Sequence, residues 1–327
     1  MKNQPEITFK SAFAEDTYKG LKNYPKFLLS KYIYDKKGDK LFQKIMEMPE
    51  YYLTSCEFDI LKLNAEDIAN AFSSKNGIDL IELGAGDGKK TKILLREMVD
   101  KKYKFDYLPI DISQNVLDEL EESLKNEIPE ASVKVQQGTY FKTLEKLAEY
   151  NNRKKVILVL GSNIGNLSHK EAVEFLSNIA NAMRAEDMLF MGFDQKKDPQ
   201  KILDAYNDPA GITEEFNKNL LVRINSELGG NFDPDSFLHW ETYNPETGTA
   251  RSFLVSKKAQ KVHIEKLDLK VEFEAWESIH TEISQKYDDS VVRWLADEAG
   301  LHVEKIFGDR ENCYKNYIFR RKTDPAN

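Results

Sequence analysis

Short apolar runs alternate with helix-length amphipathic stretches between residues 78 and 193, and this alternation constrains the fold more than any other feature. Strands of a parallel sheet are buried on both faces and joined by crossover helices, so they produce such a pattern. The predicted strands are residues 78–83, 107–112, 133–136, 156–160 and 188–193. The predicted helices are residues 90–99, 116–126, 141–150 and 170–183. The pattern predicts a doubly wound α/β domain.

The alternation stops after Asp194, where a region punctuated by Pro and Asn begins. Beyond it we predict strands at residues 250–255, 261–269 and 317–319 and a helix at residues 289–299. The first 60 residues are polar and aromatic, with helical spacing near Leu41 and Ile45, which indicates a lobe rather than a sheet. The 327 residues exceed the usual length of one domain. We expect a core of residues 61–194 and 287–327, and a second lobe of residues 1–60 and 195–286.

Charge and composition argue against several classes of partner. The formal net charge of -8 disfavours a nucleic-acid surface, because affinity for phosphate backbones depends on clustered Lys and Arg. The two cysteines, Cys56 and Cys313, are far apart and belong to no Cys/His cluster that would bind a metal. The sequence has no run of about 18 apolar residues and no apolar signal region near its start. We therefore expect a cytoplasmic protein without a metal, membrane or nucleic-acid partner.

A glycine-rich turn follows the first predicted strand, in the segment DLIELGAGDG at residues 79–88. Glycine permits positive φ and the close approach of a ligand, and the helix that follows offers unpaired N–H groups. A dinucleotide site would place its third glycine at position 89, where this chain has Lys89. The acidic Glu82 before the turn suits a cationic amine better than a pyrophosphate. The segment therefore favours S-adenosylmethionine over NAD.

Asp111 ends the second predicted strand, at the edge of the sheet where ligands of such folds bind. Its carboxylate can accept hydrogen bonds from both hydroxyls of a ribose, in adenosylmethionine enzymes and NAD enzymes alike. The alternative is that Asp111 caps the helix that begins near Gln114. Asp111 alone does not choose between the two cofactors.

Six segments of the chain together resemble the histidine Nα-methyltransferase family of ergothioneine biosynthesis. They occur in the family's order over roughly residues 30 to 320, and the fourth and fifth are far more specific than a glycine turn. The segments are PEYYLTSCEFDIL, IELGAGDGKKTKILL, LPIDIS, LGSNIGNLS, AYNDPAGITEEFNKNLLVRINSELGG and IHTEISQKY. The resemblance implies a Rossmann-like class I methyltransferase core with an inserted substrate-binding lobe, and S-adenosyl-L-methionine as the cofactor.

The resemblance also implies the residues of both sites. The cofactor would be held by Gly84, Gly86, Lys90, Asp111 and, near the adenine, Thr139 and Tyr140. The substrate pocket would be formed by Tyr51, Asn166, Tyr206, Glu282 and Ser284. Of these we expect Tyr51, Asn166 and Tyr206 to be the catalytic residues. The implied reaction is methylation of the α-amino group of L-histidine, to the trimethylated betaine.

The chemistry of the pocket residues agrees with an amino-acid acceptor. Glu282 and Ser284 lie in an alternating stretch, so on a strand they face the same side and can hold the two nitrogens of an imidazole. Asn166 follows the fourth predicted strand, where it can point an amide at the acceptor. The alternatives are an exposed edge strand, a turn residue at Asn166, and tyrosines that serve only packing.

Three positions depart from the family's pattern. Thr139 stands where the family has an acidic residue before an aromatic one, Ser252 where a methionine would pack beside the substrate, and Asn163 where threonine is usual. These departures leave open an N-methyltransferase of another amino acid, such as a tryptophan derivative. A non-catalytic adenosine-nucleotide binding module and an NAD-dependent oxidoreductase are the remaining alternatives. We expect a monomer whose partner is a small-molecule amino acid.

Overall fold

The computed structural model describes residues 9–139 and 153–322. Numbered in chain order, the helices of this part are α1 Ala12–Lys22, α2 Lys36–Glu47, α3 Tyr52–Leu63, α4 Ala65–Phe72, α5 Thr91–Asp100, α6 Gln114–Glu127, α7 His169–Ala182, α8 Pro199–Tyr206, α9 Ile212–Leu228 and α10 Asp289–Glu298. The strands are β1 Lys26–Phe27, β2 Ile78–Leu83, β3 Phe105–Asp111, β4 Ser132–Val133, β5 Gln136–Gln137, β6 Lys154–Val159, β7 Met188–Asp194, β8 Phe237–Asn244, β9 Thr249–Ser256, β10 Gln260–Ile264, β11 Leu269–Phe273, β12 Ser278–Gln285, β13 Leu301–Gly308 and β14 Tyr314–Arg321.

The chain divides into two compact units at residues 52/53, 196/197 and 284/285. Unit 1 consists of the chain up to Tyr52 and of residues Lys197–Ser284. Unit 2 consists of residues Leu53–Lys196 and of the chain from Gln285 onwards. The first division falls at the start of α3, whereas the sequence predicted a boundary at residue 60. None of the described helices is long and apolar enough to cross a membrane.

Unit 2 is built on a mixed sheet in the order β13-β14-β7-β6-β2-β3-β4. The short strand β5 pairs with β3 at residues 110–111, further along β3 than the residues that pair with β4. Strands β2 to β7 are parallel, and β14 and β13 add antiparallel pairs at one edge. The doubly wound α/β prediction is therefore confirmed. Residues 133–136 do not form one strand, since two short pairs, β4 and β5, replace it. The predicted helix at residues 141–150 lies outside the described residues.

Apolar packing covers the sheet of unit 2 on both faces. On one face, Leu83 of β2 and Phe193 of β7 belong to a core that includes buried residues of α7 and α10. On the other face, Phe72 of α4 lies edge-on to Phe190 of β7, with ring centroids 5.4 Å apart. Every residue of β2 is buried, and four of its six residues are apolar.

Unit 1 combines helices with a four-stranded sheet in the order β1-β12-β9-β8 and a separate hairpin of β10 and β11. The prediction of one strand at residues 261–269 is wrong. The backbone of Asp268 is left-handed, with φ of 44°, and a 3-10 turn at Glu265–Leu267 reverses the chain between the two strands of the hairpin. The core of unit 1 includes Phe216 and Leu220 of α9, a helix that the sequence pattern did not reveal.

We expect the Phe193→Ala substitution to lower the free energy of unfolding of unit 2 by about 3–5 kcal/mol, through lost burial and a residual cavity. The Phe193 ring lies fully buried, edge-on to Tyr287 at 5.0 Å and to Tyr317 at 5.3 Å between ring centroids. Denaturant titration followed by far-ultraviolet circular dichroism measures the change. Phe58→Ala is the matched control, because that ring is 38% exposed. Similar losses in the two variants would contradict the packing described here.

Candidate functional site

The carboxyl ends of β2 and β6 mark the point where the strand order of unit 2 reverses. From β2 the chain runs outward to β3 and β4, and it then returns to β6 on the other side of β2. Loops after such neighbouring strands leave in opposite directions and open a crevice, which is the usual ligand site of doubly wound sheets. The glycine turn at residues 84–88 follows β2, and the segment at residues 161–166 follows β6.

The glycine turn has the backbone that a close ligand needs. Gly84 and Gly86 have φ of 73° and 52°, in the left-handed region that favours glycine. A Cβ placed on Gly86 would have no neighbour within 4 Å, so the backbone is open on that side. A Cβ on Gly88 would approach Leu120 Cδ1 of α6 to 2.5 Å. One glycine therefore exposes the turn, and another lets it pack against the unit.

Glu82 is the penultimate residue of β2, buried just before the glycine turn. Its carboxylate accepts hydrogen bonds from Thr91 Oγ1, at 2.7 Å, and from the hydroxyl of Tyr107. Burial raises the pKa of Glu82 to about 7, although the two hydrogen bonds and the Lys90 charge act in the opposite direction. Glu82 is only 3% exposed. Its contacts therefore fix the start of α5, and it does not lie open as the partner of an amine.

Lys90 immediately precedes α5, and its ammonium lies 2.5 Å from Glu57 Oε2. The Lys90 side chain is 22% exposed, whereas that of Glu57 is fully buried. The ammonium also lies 3.8 Å from the position of a Cβ on Gly161, after β6. Lys90 thus reaches from the helix after β2 towards the turn after β6.

Asp111 ends β3 and is half-buried at the same edge of the sheet. Its Oδ1 accepts a hydrogen bond of 3.0 Å from the backbone N–H of Ser113. Ser113, not Asp111, caps α6, since its Oγ accepts from the N–H of Val116. The neighbouring Ile112 is 71% exposed. Thr139 is exposed, and Tyr140 lies outside the described residues.

Asn166 ends the 3-10 turn Asn163–Asn166 after β6, and its side chain is exposed. The turn is held by the Tyr287 hydroxyl, which donates to the carbonyl of Ile164 at 3.1 Å. Gly165 permits a close backbone approach, because a Cβ there would lie 3.2 Å from the carbonyl oxygen of Gln285. The glycine at position 165 therefore has a packing reason within unit 2.

The other predicted pocket residues come together in unit 1. The Tyr206 hydroxyl and Ser284 Oγ are 2.7 Å apart, and the rings of Tyr51 and Tyr206 meet edge-on with centroids 6.3 Å apart. Glu282 and Ser284 are each 9% exposed, two residues apart on β12. The structure thus brings together Tyr51, Tyr206, Glu282 and Ser284, whereas Asn166 belongs to unit 2.

Sequence reasoning missed Tyr34, which joins this group. Burial raises the pKa of Tyr34 well above its ordinary value, and the nearby Glu282 charge and the Tyr51 and Tyr206 hydroxyls raise it further. Tyr34 therefore remains a neutral phenol at physiological pH. No periodic pattern marks it, because it lies in a turn just before Asp35, which caps α2.

Two further rings complete what we call the aromatic cluster of unit 1. Phe42 of α2 lies edge-on to Tyr34 and to Tyr51, with centroid distances of 5.4 Å and 6.3 Å. Phe216 of α9 lies 5.3 Å from Tyr34 and 5.9 Å from Phe42. The members of the cluster are Tyr34, Phe42, Tyr51, Tyr206 and Phe216.

Ser252, the position that departs from the family's methionine, is 2% exposed on β9. Its hydroxyl donates to Glu241 Oε2 of β8 at 2.7 Å, and its carbonyl accepts from Thr281 Oγ1 at 3.1 Å. Nearby on β8, His239 Nε2 lies 2.9 Å from the carbonyl of Tyr206. Buried polar side chains therefore lie on β8 and β9 beside apolar core residues such as Phe237 and Leu254.

A family model described as "Histidine-specific methyltransferase, SAM-dependent" matches residues 13–321. The chain belongs to this family. It is therefore a methyltransferase that uses S-adenosylmethionine, on a Rossmann-like class I core.

Relatives of this enzyme have names that state different methyl acceptors. The histidine N-alpha-methyltransferase of Mycolicibacterium smegmatis is 36% identical, over 89% of this chain and 89% of the relative. That of Mycobacterium tuberculosis is 34% identical, over 88% of this chain and 92% of the relative. A 4-dimethylallyltryptophan N-methyltransferase of Claviceps fusiformis is 27% identical, over 93% of this chain and 90% of the relative.

The donor set of unit 2 fits S-adenosylmethionine. The backbone is open at Gly86, a carboxylate stands at Asp111, and the ammonium of Lys90 suits the carboxylate of an amino-acid moiety. Within residues 9–139 and 153–322, no group of three or more His, Cys, Asp or Glu side chains is arranged to hold a metal ion.

The raised pKa of Glu82 predicts a specific dependence of stability on pH. Between the ordinary value of 4.5 and about 7, the unfolded chain loses this proton while the folded chain keeps it. The folded state therefore binds more protons in this window, and stability falls as the pH rises through it. Relative to Glu82→Gln, the wild-type free energy of unfolding should decrease by about 3 kcal/mol from pH 4.5 to pH 7.

Denaturant titrations of both proteins at several pH values measure this difference. Glu127→Gln serves as the control, since its carboxylate is 41% exposed and forms ion pairs with Lys92 and Arg96. A wild-type stability that rises across the window, relative to Glu82→Gln, would show that the folded state holds Glu82 ionised.

Proposed function

We propose that the enzyme transfers methyl groups from S-adenosylmethionine to the α-amino nitrogen of L-histidine, to the trimethylated betaine. The observation that carries the proposal is the grouping in unit 1 of a carboxylate, a hydroxyl and three tyrosines at Glu282, Ser284, Tyr34, Tyr51 and Tyr206. The names of the two most identical relatives described above support the same acceptor.

The proposal gives each unit one binding task. Unit 1 binds the amino acid and unit 2 binds the cofactor. The proposed cofactor residues are Gly84, Gly86, Lys90, Asp111, Thr139 and Tyr140. Ile112, exposed beside Asp111, is suited to cover an adenine ring if Asp111 accepts from the ribose hydroxyls. The acceptor residues of unit 1 are Tyr51, Tyr206, Glu282 and Ser284, of which Tyr51 and Tyr206 contact the reacting amine, and the catalytic role expected of Asn166 in unit 2 stays a prediction.

The reaction is an in-line displacement, for which bound S-adenosylmethionine supplies an electrophilic methyl group on a sulfonium. The amine must be neutral and held about 3 Å from the methyl carbon, so positioning and loss of water provide much of the rate. Tyr34 is a neutral phenol and can orient groups by hydrogen bonds without acting as a base. The amine proton passes to water, since burial lowers an amine's pKa enough to free its lone pair. Each transfer breaks one S–C bond, forms one N–C bond and leaves S-adenosylhomocysteine.

The aromatic cluster supports repeated methylation. Each transfer makes the nitrogen larger and less able to donate hydrogen bonds, until the quaternary ammonium has no N–H left. Aromatic faces attract such cations through their quadrupole, and this attraction survives the loss of every N–H. A pocket built from tyrosines therefore retains the mono- and dimethylated intermediates for a further transfer. A carboxylate-only pocket would favour the unmethylated amine.

We expect purified enzyme, supplied with histidine and S-adenosylmethionine, to yield products that carry one, two and finally three methyl groups. Mass spectrometry of the reaction follows each species with time. A panel of other amino acids, including tryptophan and 4-dimethylallyltryptophan, is assayed in parallel. Methylation of another member of the panel in preference to histidine would replace the proposed acceptor, and an absence of methylation of every amino acid would refute the assignment.

Replacing Glu282 by Gln should raise the KM for histidine about 10- to 100-fold, because a hydrogen bond to a charged group in a buried pocket contributes about 1.5–3 kcal/mol. The dissociation constant of S-adenosylhomocysteine, measured by calorimetry, should change less than about twofold, since the cofactor site lies in the other unit. Glu277→Gln is the matched control: this carboxylate lies just before β12 and forms an ion pair with Lys26. Equal loss of histidine and cofactor affinity in Glu282→Gln would contradict the role given to Glu282.

A different amino acid with a hydrogen-bonding side chain is the second candidate, because Ser252 stands where the family resemblance places a methionine. A small hydroxyl tied to Glu241 replaces the bulk of a methionine, and it makes this wall of unit 1 polar rather than apolar. A polar wall suits an imidazole or another hydrogen-bonding side chain better than the prenylated indole named for the Claviceps relative.

We also propose that the enzyme is a cytoplasmic monomer. Its net charge of -8 supports the further proposal that it binds no nucleic acid.

A further inference from the structure

Glu57 is a buried carboxylate that the proposed reaction does not use, although it lies in the segment PEYYLTSCEFDIL. It is on α3, and its side chain is fully buried. Oε2 lies 2.5 Å from the Lys90 ammonium and accepts a 2.8 Å hydrogen bond from the Gly161 backbone N–H. Oε1 accepts a 2.9 Å hydrogen bond from Asn316 Nδ2 of β14. One carboxylate therefore joins three separate parts of unit 2.

The surroundings of Glu57 are built around its charge. A buried carboxylate is costly unless it is paired and hydrogen-bonded, and here a cation, a backbone N–H and an amide satisfy it. The neighbouring strand leaves room for it, because a Cβ on Gly192 of β7 would lie 2.3 Å from Oε1. Glu57 also raises the pKa of Glu82, which places both carboxylates near the Lys90 ammonium.

Two of the groups that Glu57 holds belong to the point where the strand order reverses. Lys90 follows the glycine turn after β2, and Gly161 follows β6. A free lysine side chain samples many rotamers, so an ammonium fixed in advance binds an anion more tightly than a mobile one. The Gly161 amide, oriented by the same carboxylate, fixes where the turn after β6 begins.

We propose that Glu57 is a positioning residue of the cofactor site, which acts through Lys90 and Gly161 and does not itself touch the cofactor. It fixes the Lys90 ammonium where the carboxylate of the methionine moiety binds, and it anchors the turn that starts at Gly161. The proposal rests on the cofactor role given to Lys90 and is independent of the identity of the acceptor.

The test measures cofactor binding rather than turnover. In Glu57→Gln, the side chain keeps its shape and loses its charge, and we expect the dissociation constant of S-adenosylhomocysteine to rise about tenfold or more by calorimetry. The KM for S-adenosylmethionine should rise in parallel, while kcat at saturating cofactor should remain within about threefold. The matched control is Glu127→Gln. It removes the carboxylate partner of Lys92, a lysine of α5, and should leave cofactor binding unchanged.

A double-mutant cycle separates positioning from a general structural effect. If Glu57 acts through Lys90, the Glu57→Gln substitution should weaken binding much less in a Lys90→Gln background than in the wild type. Equal weakening in both backgrounds would overturn the proposal, as would unchanged binding in Glu57→Gln. The proposed acceptor can fail in the amino-acid panel without affecting this result, because no amino acid is present in the titration.

Gly192→Ala carries the test if Glu57→Gln does not fold. The added methyl would displace the Glu57 carboxylate and the Tyr314 hydroxyl, since the Cβ position lies 2.2 Å from that hydroxyl, without any change of charge. We expect a similar rise in the dissociation constant of S-adenosylhomocysteine. Glu57→Asp, which keeps the charge on a shorter side chain, should bind the cofactor with intermediate affinity. Wild-type binding in Gly192→Ala would refute the positioning role.

Discussion

The parallel hydrogen-bond ladders on both sides of β2 are the constraint on which the rest of unit 2 depends. Because β2 pairs with β3 on one side and β6 on the other, the loops after all three strands leave at the same edge. Gly84, Asp111 and Gly161 come to that edge from positions far apart in the chain. The ladder also extends past the strand, since the N–H of Gly84 donates to the carbonyl of Ile110 at 2.9 Å. The glycine turn is therefore anchored before any ligand binds.

Buried charges at this edge are each matched by local donors. Asp194, at the end of β7, lies 2.8 Å from the ammonium of Lys286, and both side chains are almost fully buried. Its backbone N–H donates to Ser162 Oγ at 3.0 Å, which joins the end of β7 to the turn after β6. Such pairs add little net stability, because desolvation offsets the attraction. Breaking one partner is costly, however, so the pairs fix geometry more than they stabilise the fold.

The elements that were predicted correctly are those whose burial matches their polarity. β2 and β7 are buried throughout, and their apolar runs gave their positions to within a residue. β8 escaped prediction because its polarity is inverted: His239 and Glu241 are buried, whereas Leu238 and Trp240 are exposed. No rule based on apolar alternation identifies such a strand. β13 was missed for a related reason, since a register shift after Val303 interrupts its period.

The candidate site shows the same division. Gly84, Gly86 and Asp111 are marked by local sequence, since a turn or a strand end determines each of them. Glu57 is not, because its partners at positions 90, 161 and 316 are brought to it only by the folded sheet. The residue types of Tyr206, Glu282 and Ser284 matched a family pattern, but the Tyr206–Ser284 hydrogen bond is a tertiary contact. Sequence thus indicated the chemistry, and the long-range contacts give its geometry.

In unit 1 the Glu282 carboxylate lies among neutral hydroxyl groups, and this arrangement suits the proposed amine acceptor. Glu282 is a carboxylate among phenols, and burial keeps one of these, Tyr34, in its neutral form. A second anion beside Glu282 would stabilise the ammonium form of the acceptor and withdraw the lone pair that must attack. Neutral hydroxyls can orient the same nitrogen without raising its pKa to the same extent. In the proposed reaction, tyrosine is therefore a better neighbour for the amine than another carboxylate, and Glu282 is the carboxylate proposed to hold the acceptor's side chain.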